Sequence, residues 1–266
     1  MGPLLPLEGS LVTEKVAVLR RSRKVPEVRT AFWGVKLLTT AMGEAVSDFL
    51  VYHMNPYLAV GLGAFVFALA LFIQLRFRRY QAAVYWSAVT MVAVFGTMAA
   101  DATHIVLGVP YLYSSLLFAV GLTAIFVLWY RVEKSLSIHS ISTLRREIFY
   151  WLAVMASFAM GTALGDLTAF GFHAGLSTSV LIFAILFSLP WLTKKVWRNE
   201  TSAFWFSYVM TRPLGASLAD WLDMPHRVGG LGWGRGVVGS ILSLLLILAV
   251  TWVAVKKIDT PAPSTS

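Results

Sequence analysis

The sequence contains no cysteine. That excludes disulfides, thiolate catalysis and soft thiolate metal sites. Charge is also scarce. Only 13% of the 266 residues are Asp, Glu, Lys or Arg, against about 25% in a soluble globular chain. No cleavable signal pattern is seen at the start, where a short apolar stretch is broken by Pro3, Pro6 and Glu8. What is abundant is apolar: 58% of residues are hydrophobic and the mean hydropathy is +0.72. That is too much apolar surface for one soluble core and too little charge to cover it. An ordinary cytosolic enzyme and a disordered chain are excluded. The net charge of +9 would point to nucleic acid in a soluble protein, so its placement has to be located.

A transmembrane helix needs about 20 mostly apolar residues. Eight stretches qualify: roughly 31–50, 56–75, 82–107, 111–130, 148–172, 176–193, 203–222 and 236–255. Eighteen of the 22 Lys and Arg precede the first stretch, follow the last, or lie in the loops after the second, fourth and sixth. The opposite loops hold only Arg227 and Arg235. Loops rich in Lys and Arg stay in the cytoplasm. The reading is an all-α integral membrane protein of about eight transmembrane helices, with both termini cytoplasmic. Residues 1–30 form a basic arm, 131–147 a cytoplasmic linker and 256–266 a tail. The positive charge then faces anionic lipid at the cytoplasmic surface and implies no nucleic-acid partner.

The chain repeats itself. Trp33, Trp86, Trp151 and Trp205 are each followed by Gly at +10 (Gly43, Gly96, Gly161, Gly215) and Asp at +15 (Asp48, Asp101, Asp166, Asp220). An aromatic residue precedes each Trp: Phe32, Tyr85, Tyr150 and Phe204. The Trp-to-Trp steps of 53, 65 and 54 residues make each unit a helical hairpin, at 31–80, 81–130, 146–195 and 203–255. Four tandem hairpins imply pseudo-four-fold or pseudo-two-fold internal symmetry. At 1.5 Å per residue, each Asp lies about 22 Å beyond its Trp, in the outer half of the membrane. The Trp reads as an interfacial anchor and the Gly as a helix-packing position.

Carboxylates facing lipid are costly, about 2.5–3.5 kcal/mol each, so the aspartates should face inward as an acidic ring. On the first helix, Trp33, Lys36, Thr40, Glu44, Ser47 and Asp48 fall in one stripe about 120° wide. Glu44 and Asp48 are neighbours four residues apart, able to share a proton or bind a cation. Lys36 and Arg212 are the internal counter-charges, and Pro213 should kink the seventh helix. His53, His104, His173 and His226 follow the repeat aspartates and form a weaker candidate metal set. In the linker, His139, Arg145 and Arg146 are candidates for partner contact. The stretch Gly229, Gly230, Gly232, Gly234 and Gly236 follows no strand and makes a poor phosphate cradle.

With these residues assembled, the chain resembles a bacterial family of membrane-anchored proteins built from a repeat of unknown function. The resemblance rests on Lys24–Val28, Phe32-Trp33, Ser137–His139, Arg145–Glu147, Tyr150-Trp151, Gly161–Asp166, Thr211–Ser217 and Gly229–Gly232. It covers about residues 24–257. It implies an integral inner-membrane protein with no established substrate. The family pattern includes the repeat Asp and the linker His139, but not an outer histidine in each repeat.

The functional expectation is a transporter or channel for cations, either protons or a divalent metal as substrate, with no required cofactor. Asp48, Asp101, Asp166, Asp220 and Glu44 would bind or relay the ion. The alternative is a non-transporting membrane sensor or assembly factor acting through the linker and the basic arm. An enzyme is not expected. An aspartyl intramembrane protease would show two distinct Asp motifs, and this chain shows four equivalent ones.

Overall fold

In the computed structural model, residues 23–193, 195–197 and 199–261 are described. Most of the basic arm (1–22), Lys194, Arg198 and the end of the tail (262–266) lie outside the described residues. Among the described residues there are eight α-helices and no cis peptide bond. They are α1 (Thr30–His53), α2 (Pro56–Arg76), α3 (Ala82–Asp101), α4 (Tyr111–Glu133), α5 (Leu144–Asp166), α6 (Leu176–Leu192), α7 (Glu200–Asp223) and α8 (Arg235–Lys256). Two π-helical turns, Ala102–Val106 and Leu167–Gly171, continue α3 and α5 directly after the repeat aspartates.

Local chemistry sets the boundaries. The Asn55 side chain accepts from the Tyr57 and Leu58 amides, and Pro56 occupies the first turn of α2. Asn199 caps α7 in the same way, and Thr143 accepts from the Arg146 amide at the start of α5. Short polar side chains satisfy amides that a helix start leaves unpaired. α4 and α8 end at Lys134 and Lys257, both in the left-handed conformation that closes a helix. Pro213 lies inside α7, which runs on to Asp223.

Among the described residues five helices are long and apolar enough to cross a membrane: α2, α3, α4, α5 and α8. α6 is apolar but only 17 residues long. α1 and α7 carry the polar stripe, with Lys36, Glu44, Arg212 and Asp220 all buried. Their polarity faces inward, so lipid does not meet it.

The first helices of the four hairpins form the inner layer. α1 packs on α3, α3 on α5, α5 on α7, and α7 on α1, closing a ring. The second helix of each hairpin leans on the first helix of the next. α2 covers α3, α4 covers α5, α6 covers α7, and α8 returns to cover α1. Leu, Ile, Val and Phe on these outer helices, such as Phe65, Leu117, Ile185 and Leu248, point outward and are exposed.

The repeated Gly explains how close the inner helices come. A Cβ at Gly96 would sit 2.8 Å from the Phe158 Cβ, and one at Gly161 would sit 2.6 Å from the Arg212 Cβ. A Cβ at Gly215 would sit 2.6 Å from the Thr40 Cβ, and Gly43 lies as tightly on Ala93. Thr40, Ala93, Phe158 and Arg212 are all the seventh residue after a repeat Trp. The same contact is therefore made four times around the ring. Gly96→Ala is expected to cost about 1–3 kcal/mol by overpacking. Gly121→Ala, with nothing within 4 Å, is the control. Thermal unfolding in detergent that falls equally for both would refute the close-packing role.

The repeat aromatics close one end of the ring. Phe32 lies 5.6 Å from Trp86, Tyr85 5.6 Å from Trp151, Tyr150 6.0 Å from Trp205, and Phe204 5.7 Å from Trp33, centroid to centroid. The four repeat tryptophans are at most 7% exposed. This corrects the interfacial-anchor reading. Spacing puts Trp at the right depth, but the aromatic residue before each Trp reaches the neighbouring helix and draws the indole into the core.

Candidate functional site

Successive layers stack along the ring, each built from equivalent positions of the four repeats. The layer three residues after the Trp holds Lys36, Val89, Val154 and Tyr208, all fully buried. The next holds Thr40, Ala93, Phe158 and Arg212. The third holds Glu44, Thr97, Thr162 and Ala216, and the last the four aspartates. One turn of helix separates each layer from the next, so one face of each inner helix supplies all of them.

Arg212 crosses between layers. Its Nη2 donates to Glu44 Oε2, to Thr97 Oγ1 and, at 2.7 Å, to Thr162 Oγ1. Those three groups are the third-layer residues of the other three repeats. Nη1 donates to the Thr40 carbonyl at 3.1 Å. Thr97 in turn donates to Glu44 at 3.2 Å. The guanidinium thus ties α7 to α1, α3 and α5 at the centre of the ring. Arg212 and Glu44 are both buried, so neither charge is screened by water.

Lys36 behaves differently. It is the other expected counter-charge, yet its Nζ has no hydrogen-bond partner. It lies 4.0 Å from the Phe158 ring centroid and 4.4 Å from that of Tyr208. Its amine is met by aromatic faces and, among the described residues, by no carboxylate. Sequence reasoning could place Lys36 on the inner face but could not see which residues stood opposite.

Beyond the Arg212 layer, the ring carries its acids. Asp220 is buried and Asp48, Asp101 and Asp166 are half-buried. Asp101 lies within electrostatic range of Glu44, Asp48 and Asp166, and Asp220 within range of Asp48, Asp166 and Asp223. The four repeat aspartates therefore form one acidic cluster. Tyr111, at the start of α4, lies within electrostatic range of Asp166, Asp101 and Asp220. Two further members were missed from the sequence: Asp223, three residues past Asp220, and Arg235, whose Nε donates to Asp48 Oδ2 at 2.9 Å. The available signal was that Arg235 is one of two basic residues on a face otherwise poor in them.

The histidines do not converge. His53 stacks on Phe49, His104 stacks on Tyr111 with its Nδ1 2.7 Å from the Val109 carbonyl, and His226 Nδ1 lies 2.9 Å from the Gly230 carbonyl. His173 is exposed, at a backbone φ of 57°. Among the described residues no group of three or more His, Cys, Asp or Glu could hold a metal ion. The expected Asp–His set is therefore not assembled among the described residues. Irregular offsets from the repeat Asp turn the imidazoles toward local carbonyls and rings.

The opposite end is sealed. Glu147 is fully buried and accepts from Lys24 Nζ at 2.5 Å and Gln74 Nε2 at 3.0 Å. Asp259 accepts from the Tyr80 hydroxyl and from Trp86 Nε1, and its carbonyl accepts from the Glu27 amide at 2.8 Å. Burial and the Asp259 carboxylate push the Tyr80 phenol well above its ordinary pKa, so it remains a donor. The linker residues meet neighbours within the chain. His139 lies 3.2 Å from Arg23, Arg145 and Arg146 both pair with Glu133, and Arg146 also reaches the Ser140 carbonyl.

The helix composition makes this a multi-pass membrane protein. The chain belongs to the Repeat of Unknown Function (DUF347) family, whose pattern matches residues 31–80, 84–135, 149–194 and 203–258. Each matched segment contains one Trp, Gly and Asp set. No curated protein and no solved structure matches the chain.

Proposed function

We propose that the protein is an inner-membrane protein of eight transmembrane helices with pseudo-four-fold internal symmetry. Both termini and the Trp end of the ring face the cytoplasm, and in this reading the acidic cluster lines a chamber that opens to the other side. Its function is to bind and move a cation through that chamber. The observation that carries this reading is that six carboxylates, Glu44, Asp48, Asp101, Asp166, Asp220 and Asp223, lie within electrostatic range of one another, while Arg212 pairs with Glu44 and Arg235 with Asp48. Intramembrane carboxylates in excess of their counter-charges attract protons or other cations. Protons and small non-metal cations suit the chamber better than a divalent metal, because no metal-holding group assembles among the described residues. Arg212, bonded to the three other inner helices, opposes the free passage of any cation. The structure thus corresponds to a closed state, in which the Arg212–Glu44 contact must open for transport.

Asp101 and Asp166 are the cleanest probes, since neither forms an ion pair among the described residues. Proton flux in proteoliposomes is expected for the wild type and to fall by at least about tenfold, the effect of roughly 1.4 kcal/mol, in Asp101→Asn and Asp166→Asn. Absent wild-type flux, or flux unchanged in both variants, refutes transport.

A second reading, a sensor or assembly factor, draws on one observation. The Arg145 side chain is 69% exposed, at the edge of a surface cavity of about 620 Å³ lined by Glu133 and residues 142–146. Crosslinking from native membranes that is lost in Arg145→Ala would favour it. Deleting the whole linker is a poor test, because Ile138, Ile141 and Glu147 are buried in the fold.

A further inference from the structure

Arg235 is the first residue of α8 and sits between Gly234 and Gly236. Its guanidinium carbon lies 4.1 Å from the Tyr52 ring centroid while its Nε holds Asp48. A second carboxylate, Asp223 at the end of α7, lies within electrostatic range of both Asp48 and Arg235. Asp223 is 4% exposed, and neither of its carboxylate oxygens has a hydrogen-bond partner. One tethered cation therefore serves two carboxylates and makes a hydrogen bond to only one. A buried carboxylate left unpaired is costly, so the place is built for more cationic contact than Arg235 supplies.

The donor set defines the cation. Carboxylates from two helices supply charge-assisted hydrogen bonds, and the Tyr52 face supplies a cation–π surface. This combination selects a planar or tetrahedral organic cation. The Arg235 side chain is 25% exposed, so its place can be reached from outside the bundle.

We propose that Asp48, Asp223 and Tyr52 form a binding site for a small guanidinium or ammonium cation, occupied in this structure by the chain's own Arg235. The site rests on the cation reading of the acidic chamber and names its outer entry. Arg235 acts there as a tethered competitor: an incoming cation must displace it from Asp48 or share Asp223.

The test is thermal unfolding of the purified full-length chain in detergent, with methylguanidinium or methylammonium chloride titrated against sodium chloride at equal ionic strength. Arg235→Gln is expected to be stabilised saturably by methylguanidinium, with an apparent affinity about tenfold or more above wild type. Arg235→Gln/Asp223→Asn is expected to lose that gain. If Arg235→Gln shows no saturable response to either organic cation, or the double variant responds equally, the site is refuted. Should Arg235→Gln fail to fold, Arg235→Lys replaces it. Its amine stacks less well on Tyr52, so a smaller gain is expected, and no gain overturns the proposal. Saturable binding in Arg235→Gln without flux in any variant would sink the transport reading and leave this site standing. Flux that depends on Asp101 and Asp166 without such binding would do the reverse.

Discussion

Arg212→Leu is expected to destabilise the protein by about 3–5 kcal/mol, the cost of breaking a buried ion pair from one side. The substitution leaves the buried Glu44 carboxylate with Thr97 as its one donor among the described residues. Glu44→Leu should cost a similar amount, because the Arg212 guanidinium then keeps only Thr40, Thr97 and Thr162. The informative variant is the double, Arg212→Leu/Glu44→Leu. It removes both charges together, and replacing a buried pair with apolar groups of similar volume is often neutral. The two threonines stay satisfied, since Thr97 also donates to the Ala93 carbonyl at 3.1 Å and Thr162 to that of Phe158 at 3.3 Å. The double variant is therefore expected to recover most of the loss in thermal unfolding. If the double is as unstable as the sum of the singles, Arg212 and Glu44 act independently and the central latch is wrong. If the double folds but loses flux, the pair serves transport as well as stability.

Glu147→Leu is the second large effect, again about 3–5 kcal/mol. Here the group left behind is the Lys24 amine, which would keep only the Leu75 carbonyl at 3.3 Å. Lys24 is 8% exposed and lies in the segment that runs beneath the ring before α1. Its own amide donates to Ile141 in the linker, and Glu27 is tied to Asp259 in the tail. Loss of the Glu147 contact should free this strap. Limited trypsin digestion is then expected to cut after Lys24, giving a fragment that starts at Val25, at a rate the wild type does not show. An unchanged digestion pattern would mean that the backbone contacts alone hold the strap.

Much of this architecture was legible in the sequence, for a physical reason in each case. Apolar runs of membrane length appear because a helix in lipid must carry its own backbone hydrogen bonds. The Gly at the tenth position after each Trp was readable as a packing residue because only a missing side chain lets two helices approach so closely. The stripe holding Lys36, Glu44 and Asp48 was readable as an inner face because α-helical periodicity alone places those residues together.

Partners across the ring were not legible. Glu44 and Arg212 are 168 positions apart and belong to different hairpins. A helical wheel gives the direction of each side chain but not the rotation of one helix against the next. The same limit hid the link between Arg235 and Asp48, 187 positions apart, and hid that the expected counter-charge Lys36 stands over the Phe158 and Tyr208 rings. It also misplaced the tryptophans. Depth follows from 1.5 Å of rise per residue, but whether an indole at that depth faces lipid or the next helix depends on the hairpin order.

The scarcity of charge and the four-fold recurrence of Trp, Gly and Asp were determined by the sequence alone, because both are properties of composition and spacing. With them came the membrane class, the hairpin unit and the inward face of the acids. Only the tertiary structure decided that each second helix would brace the following repeat, with α8 closing on α1. It also decided that one arginine would fill the middle of the ring and another would stand among the acids at its end. These are matters of register between helices, set by how closely glycine lets them pack, and no periodicity within a single helix encodes them.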